Sequence, residues 1–205
     1  MYILVIMYEL GKILTSMRVA IVHENCILGK RVVLRAKAVI GGEGFGFATE
    51  NGIHTHIPQV GNVILEDDVE IGSLHYYRQC YNGIYLGTPR YQIDNLVHLG
   101  HNVEIGEDCF LIAQVGIAGS TKCGNHVIFA GQTGCTGHIT IGDNAKFAGK
   151  TGITGNVPAD AVMAGYPMRP HKEWLKLSAY EHRLPEMVKT VKQLQKEIDA
   201  LKAAA

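Results

Sequence analysis

From Ile93 to Ile153 an apolar residue stands at every sixth position, eleven times without a miss: Ile93, Leu99, Ile105, Leu111, Ile117, Cys123, Phe129, Cys135, Ile141, Phe147 and Ile153. Four positions after each comes a small or β-branched residue: Val97, Val103, Cys109, Val115, Thr121, Val127, Thr133, Ile139, Ala145, Thr151 and Val157. An amphipathic helix repeats its apolar face about every 3.6 residues and a strand every two, so neither alone produces this spacing. A period of six is the mark of a parallel β-helix.

Each unit supplies a short strand, and a small residue lets the chain turn before the next begins. Three units close one coil of about eighteen residues. The two apolar positions point inward and stack on their equivalents in the next coil, so a single coil cannot bury its face but a stack can. The ladder is therefore read as core and not as a binding stripe.

The chain has 205 residues, 24 glycines and no formal net charge, which fits one elongated domain with an appendage. The opening Met1–Met7 is apolar but lacks a basic leader and is far shorter than the roughly 20 residues that span a bilayer. It is read as a first partial coil, and no transmembrane segment is expected. The five cysteines form no C-x-x-C pair, and Cys26, Cys109, Cys123 and Cys135 fall on inward positions, where they act as small hydrophobes.

The six-residue phase extends back through Leu34, Leu28, Val22, Ser16 and Leu10, with Ala38, Val32, Cys26, Ala20 and Leu14 as inward partners. The β-helix thus occupies residues 1–168, interrupted by a glycine-rich excursion at about 44–61. Long loops leaving a rigid scaffold are where sites are built. The Gly42-x-Gly44-x-Gly46 cluster is no dinucleotide fingerprint, since no βαβ unit surrounds it. From 169 to 205 the pattern is helical, and Met187, Val191, Leu194, Ile198 and Leu201 step by four and three as in a heptad seam. A flat-sided prism ending in a short coiled coil suggests a homotrimer.

At several points the residues resemble a known family. Gly41-Gly-Glu-Gly-Phe-Gly-Phe47, Ile57-Pro-Gln-Val-Gly61, Asp68-Val-Glu-Ile-Gly72, Ile93-Asp-Asn95, Gly100-His-Asn-Val103, Val115-Gly-Ile-Ala-Gly-Ser-Thr-Lys122 and Gly131-Gln-Thr-Gly-Cys-Thr-Gly-His138 are similar to UDP-3-O-acylglucosamine N-acyltransferases. The resemblance implies a left-handed β-helix, against the usual right-handed crossover, in a cytoplasmic homotrimer with sites between subunits. It also implies transfer of a 3-hydroxyacyl chain from acyl carrier protein to the 2-amine of UDP-3-O-acylglucosamine, an early step of lipid A synthesis. No cofactor, metal or nucleic acid is implied. Residues 169–205 hold eight Lys or Arg against five Asp or Glu. That excess is either a solvated face or a docking surface for the acidic carrier.

Amide formation from a thioester needs a base for the attacking amine, a task suited to His near neutral pH, and donors for the oxyanion. The resemblance makes His101 the catalytic base and His138 a substrate or phosphopantetheine contact. Gly119, eighteen residues after His101, falls one coil away and offers its N–H to the oxyanion. Asp94 either contacts the sugar and orients His101 or caps its own turn. His54, His56, His98 and His126 carry no assignment.

Two departures stand out. Family members begin with a uridine-binding domain that is expected to be absent here. Residues Ser73 to Gln92 keep the family's length but not its Thr-Thr-Ile-Asp-Arg pattern; one coding of His75–Tyr85 read a nucleotide later restores Thr-Thr-Ile-Asp-Ser, so compensating frame changes are expected. Tyr and Arg at ladder positions there should locally destabilise the stack. Three alternatives stay open: a coenzyme A-dependent sugar O-acyltransferase, a zinc solenoid using His101, His138 and a third ligand near Asp143, and a non-catalytic solenoid.

Overall fold

The structure is a computed structural model that describes residues 2–6, 18–78, 84–86 and 89–203. Two-residue strands recur every six residues from Gln92–Ile93 onward and stack into parallel sheets on three faces. His98 pairs with Gly116 and Lys122 with Thr140, each eighteen residues on, so three strands make one coil. All twenty-two positions of the double column from Ile93 to Val157 are buried, including Thr121, Thr133 and Thr151. Each threonine hydroxyl donates to the carbonyl three residues back, Ala118, Ala130 and Ala148 respectively. A polar inward side chain is therefore tolerated when it is short enough to bond its own turn.

The corners turn by a different device from the expected small residue. The second corner residue sits at positive φ and is usually polar, as in Asn102, Asp108, Gln114, Ser120, His126, Gln132 and His138. Backbone bonds to the preceding coil hold the last five of these: Ser120 N–H donates to the His101 carbonyl and His138 N–H to the Gly119 carbonyl. Glycine is needed where the adjacent coil's backbone passes too close for a side chain, as at Gly106, where an added Cβ would lie 2.2 Å from the Gly124 carbonyl oxygen.

The N-terminal third departs from eighteen. Val39 pairs with Tyr76 and Ile27 with Ile64, both thirty-seven residues apart, because the excursion between them is an antiparallel hairpin, Phe47–Glu50 against Ile53–His56. Tyr76 then pairs with His98 at a spacing of twenty-two. The opening strand Tyr2–Ile6 is not a partial coil: it runs antiparallel to Arg18–Val22. Its apolar run suits either pairing direction, and the reversed strand covers an otherwise open sheet edge. Leu10, Leu14 and Ser16 lie outside the described residues.

Cys109, Cys123 and Cys135 are buried, and burial pushes all three thiols up, Cys109 and Cys135 to about 11. Cys26 is half-buried and Cys80 lies outside the described residues. After the last coil, His171–Ala203 forms one helix with Pro185 inside it. Trp174 anchors its start against Gly165, whose φ of +89° and missing side chain admit the indole. Beyond that anchor the seam residues Met187, Val191, Leu194, Ile198 and Leu201 are all exposed. Among the described residues no helix is long and apolar enough to cross a membrane.

Candidate active site

His101 stands at a corner directly after the strand His98–Leu99. Its ring lies over the neighbouring coil, where a Cβ on Gly119 would come within 2.5 Å of His101 Nε2. Only glycine leaves room for that imidazole, so spacing by eighteen has become contact. On the other side of the turn, His101 Nδ1 lies 3.3 Å from the side-chain oxygen of Asn102. An amide oxygen only accepts, so Nδ1 carries the hydrogen and Nε2 presents its lone pair toward the Gly119 backbone.

Two neighbouring glycines complete the corner. Gly100 approaches the Gly119 nitrogen so closely that an added Cβ would lie 2.6 Å from it. The coil-to-coil ladder uses the N–H of Ala118, bonded to Cys135 O, and of Ser120, bonded to His101 O. It passes over Gly119, whose N–H sits between them beside the imidazole. A base and a backbone donor are thus adjacent.

His138 is exposed and shares the corner column of Asn102 and Ser120, tied to the site through its N–H bond to the Gly119 carbonyl, 3.0 Å. Asp94 is placed elsewhere. Its carboxylate accepts from the backbone of Asn95 at 2.7 Å and of Ala113 at 3.1 Å, the turn-capping arrangement, while Asn102 holds the His101 ring. Asp94 also opens on a groove of about 600 Å³ that includes Arg35, Phe110 and Ile112. Asp143, considered as a third metal ligand, accepts the Asn125 N–H, and among the described residues no three metal-ligating side chains converge.

The structure adds two features. Gly116, Gly134 and Gly152 occupy one outward strand column in successive coils. No protein atom lies within 4 Å of where a Cβ would be on Gly116 or Gly134, so no packing within the chain demands glycine there. Glycine in a strand without a packing cause marks close approach by something else. Gly134 and Gly152 line a trough of about 430 Å³ that Tyr166 closes by lying across Gly152. Its signal in the sequence is the eighteen-residue recurrence of glycine at one repeat position. The second feature is His98, which precedes Gly116 in the same column and stacks on Tyr76, centroids 6.1 Å apart. Burial, and then the nearby Arg78 charge, lower its pKa.

No protein-family model matches the chain. Individual relatives do. It is 48% identical over 195 residues to the UDP-3-O-acylglucosamine N-acyltransferase of Anaeromyxobacter dehalogenans, covering 90% of this chain and 54% of that protein. It is 55% identical over 164 residues to the enzyme of the same name from Syntrophotalea carbinolica, covering 80% and 48%. The chain therefore spans about half the length of the relatives it matches. Among solved structures, a UDP-N-acetylglucosamine acyltransferase from Bacteroides fragilis superposes with a TM-score of 0.66 at 14% identity, covering 74% of this chain and 57% of that one. A second acyltransferase of that name gives 0.65 at 19%, with the same coverage. The chain is a relative of the UDP-3-O-acylglucosamine N-acyltransferases and folds as a left-handed parallel β-helix with a C-terminal helix.

Proposed function

We propose that the chain catalyses transfer of a 3-hydroxyacyl group from the thioester of acyl carrier protein to the 2-amine of UDP-3-O-acylglucosamine, a step of lipid A synthesis. The observation that carries this reading is the His101 imidazole resting on Gly119, with Nε2 free to act as base and a backbone donor beside it. The amine nitrogen attacks the thioester carbon while Nε2 takes its proton, and the Gly119 N–H stabilises the oxyanion. Collapse of the tetrahedral intermediate breaks the carbon–sulfur bond. The imidazolium then returns the proton to the departing thiolate, leaving amide and thiol.

His138, two coils on in the same corner column, contacts the pantetheine arm or the substrate. The glycine-floored trough is suited to a slender acyl chain, with Tyr166 at its end. Asp94 lies on a different corner from His101 within one chain, so its contact with the sugar is made across a subunit boundary in a homotrimer. The exposed seam of the C-terminal helix supports the same assembly, since three such helices bury together what one leaves exposed. The basic excess of residues 169–205 suits an acidic carrier, and the setting is cytoplasmic, where carrier and sugar nucleotide meet.

The test is an acyl-transfer assay of the purified chain with 3-hydroxyacyl carrier protein and UDP-3-O-acylglucosamine, beside His101→Ala. Transfer that falls by at least about 10²-fold in the variant is expected for loss of a general base. Equal rates in both proteins would remove His101 as base, and no transfer in either would set the reaction aside.

A further inference from the structure

The strand Tyr76–Arg78 carries a cation that has no carboxylate partner among the described residues. Arg78 ends the strand Tyr76–Arg78. Tyr76 pairs with His98 and Tyr77 with Leu99, while on the other side the register shifts between Tyr77 and Arg78, which stands opposite Gly42, so Arg78 sits on the coil before His101. Its guanidinium carbon lies 5.5 Å from the centroid of the Phe45 ring and 5.6 Å from that of Tyr76. Phe45 in turn meets Phe47 edge-on at 5.0 Å, and Phe47 meets His56 at 5.3 Å. Phe45 is 71% exposed.

Ion pairs elsewhere show what is missing. Arg31, Arg35 and Arg90 each bond a carboxylate on the adjacent coil. Among the described residues Arg78 has no carboxylate partner, and its Nε is buried without an acceptor. Glu43, at the base of the hairpin, lies 3.5 Å from His56 Nε2. A guanidinium oriented by two aromatic faces loses little freedom on binding, and its planar fork matches phosphate oxygens.

We propose that Arg78, held between Phe45 and Tyr76 one coil from His101, is a subsite for a phosphoryl anion of the bound substrate. This assignment rests on the acyltransferase reading for the identity of the anion, which is either the diphosphate of a nucleotide sugar or the phosphodiester of a pantetheine arm. The exposed Phe45 face offers a stacking surface for an attached base. An anion here would also relieve His98 of the Arg78 charge, so occupancy is reported by a nearby group that takes no part in the chemistry.

The experiment is a titration of the full chain with UDP and, separately, with pantetheine 4′-phosphate, followed by calorimetry and by the imidazole NMR signals of His98 across pH. Wild type, Arg78→Met, Arg78→Lys and Phe45→Ala are compared after thermal melts confirm folding. The expected result is binding of one of the two probes with a rise in the His98 pKa. Binding should weaken by about tenfold or more in Arg78→Met and partly recover in Arg78→Lys, as for loss of a charge-assisted bond. Whichever probe binds identifies the source of the anion. Equal binding by Arg78→Met, or binding that leaves His98 unmoved, would overturn the subsite, as would failure of both probes. Should Arg78→Met not fold, Arg78→Lys and Phe45→Ala carry the same comparison. Neither probe is turned over, so a protein that binds but transfers no acyl group would retain the subsite while losing the proposed reaction.

Discussion

His75 and Thr133 occupy the same inward column of the solenoid, three coils apart. The threonine hydroxyl reaches the Ala130 carbonyl at 2.7 Å, and Thr151 repeats the bond one coil later at 2.6 Å. The imidazole of His75 is equally buried, yet neither of its nitrogens has a hydrogen-bond partner. It packs edge-on against Tyr77, 5.5 Å away, and burial reinforced by His98 pushes its pKa down to about 3. The column thus accepts a polar group that closes on its own turn and resists one that reaches past it. In the coils from Ile93 onward the inward threonines obey that rule; the preceding coil breaks it with His75 and fills two further inward positions with the fully buried Tyr77 and Tyr91.

The largest effect is expected in the regular coils. Phe129 is fully buried and stacks on Phe147 at 5.1 Å, so Phe129→Ala should cost about 3–5 kcal/mol in denaturant unfolding. A smaller loss would mean that the well-formed coils do not set global stability.

Acid should single out the irregular coil. The unfolded chain protonates His75 near pH 6.5, whereas the folded chain resists protonation down to about 3, so stability falls as pH drops below 6.5. At pH 5 the loss is about 2 kcal/mol from this group. The facing groups are Tyr77, neutral in this range, and His98, whose own lowered pKa adds to the loss with the same sign. Urea titrations at pH 7.5 and pH 5 measure it, and a flat response would show that the coil opens to hydrate the ring.

His75→Thr places a hydroxyl within reach of the Gly72 carbonyl, as at Thr133. Stabilisation by about 1–3 kcal/mol is expected from removing the unpaired polar ring, together with most of the acid sensitivity. The smallest effect belongs to the exposed corner, where Arg90 bonds Asp108 and Glu107. Arg90→Ala should leave the urea midpoint almost unchanged, with the small difference vanishing in high salt.

The columns were legible from sequence because a repeat states its own register: each inward residue from Ile93 to Val157 is where a count of six puts it. The opening strand was not, since Tyr-Ile-Leu-Val-Ile pairs equally well in either direction and the choice depends on distant partners. His101 and Gly119 could be joined by counting eighteen, which one chain satisfies by itself. Asp94 and His101 could not, because the count places them on different corners. His98 and Arg78 escaped notice for a third reason, that their meaning lies in the Tyr76 and Phe45 rings beside them and not in any spacing.

A stack of parallel coils is in principle endless, since its first and last sheets offer the same unpaired edges that hold its middle together. Here one face begins and another finishes with a strand running the wrong way, Tyr2–Ile6 on the first and Arg169–Pro170 on the second. A reversed strand does not continue the coil, so on those two faces the stack is not extended by a further parallel coil. Between those strands the regular coils from Ile93 onward set length in whole steps of eighteen residues, and the irregular coils before them show that a step lengthens by looping out from a corner.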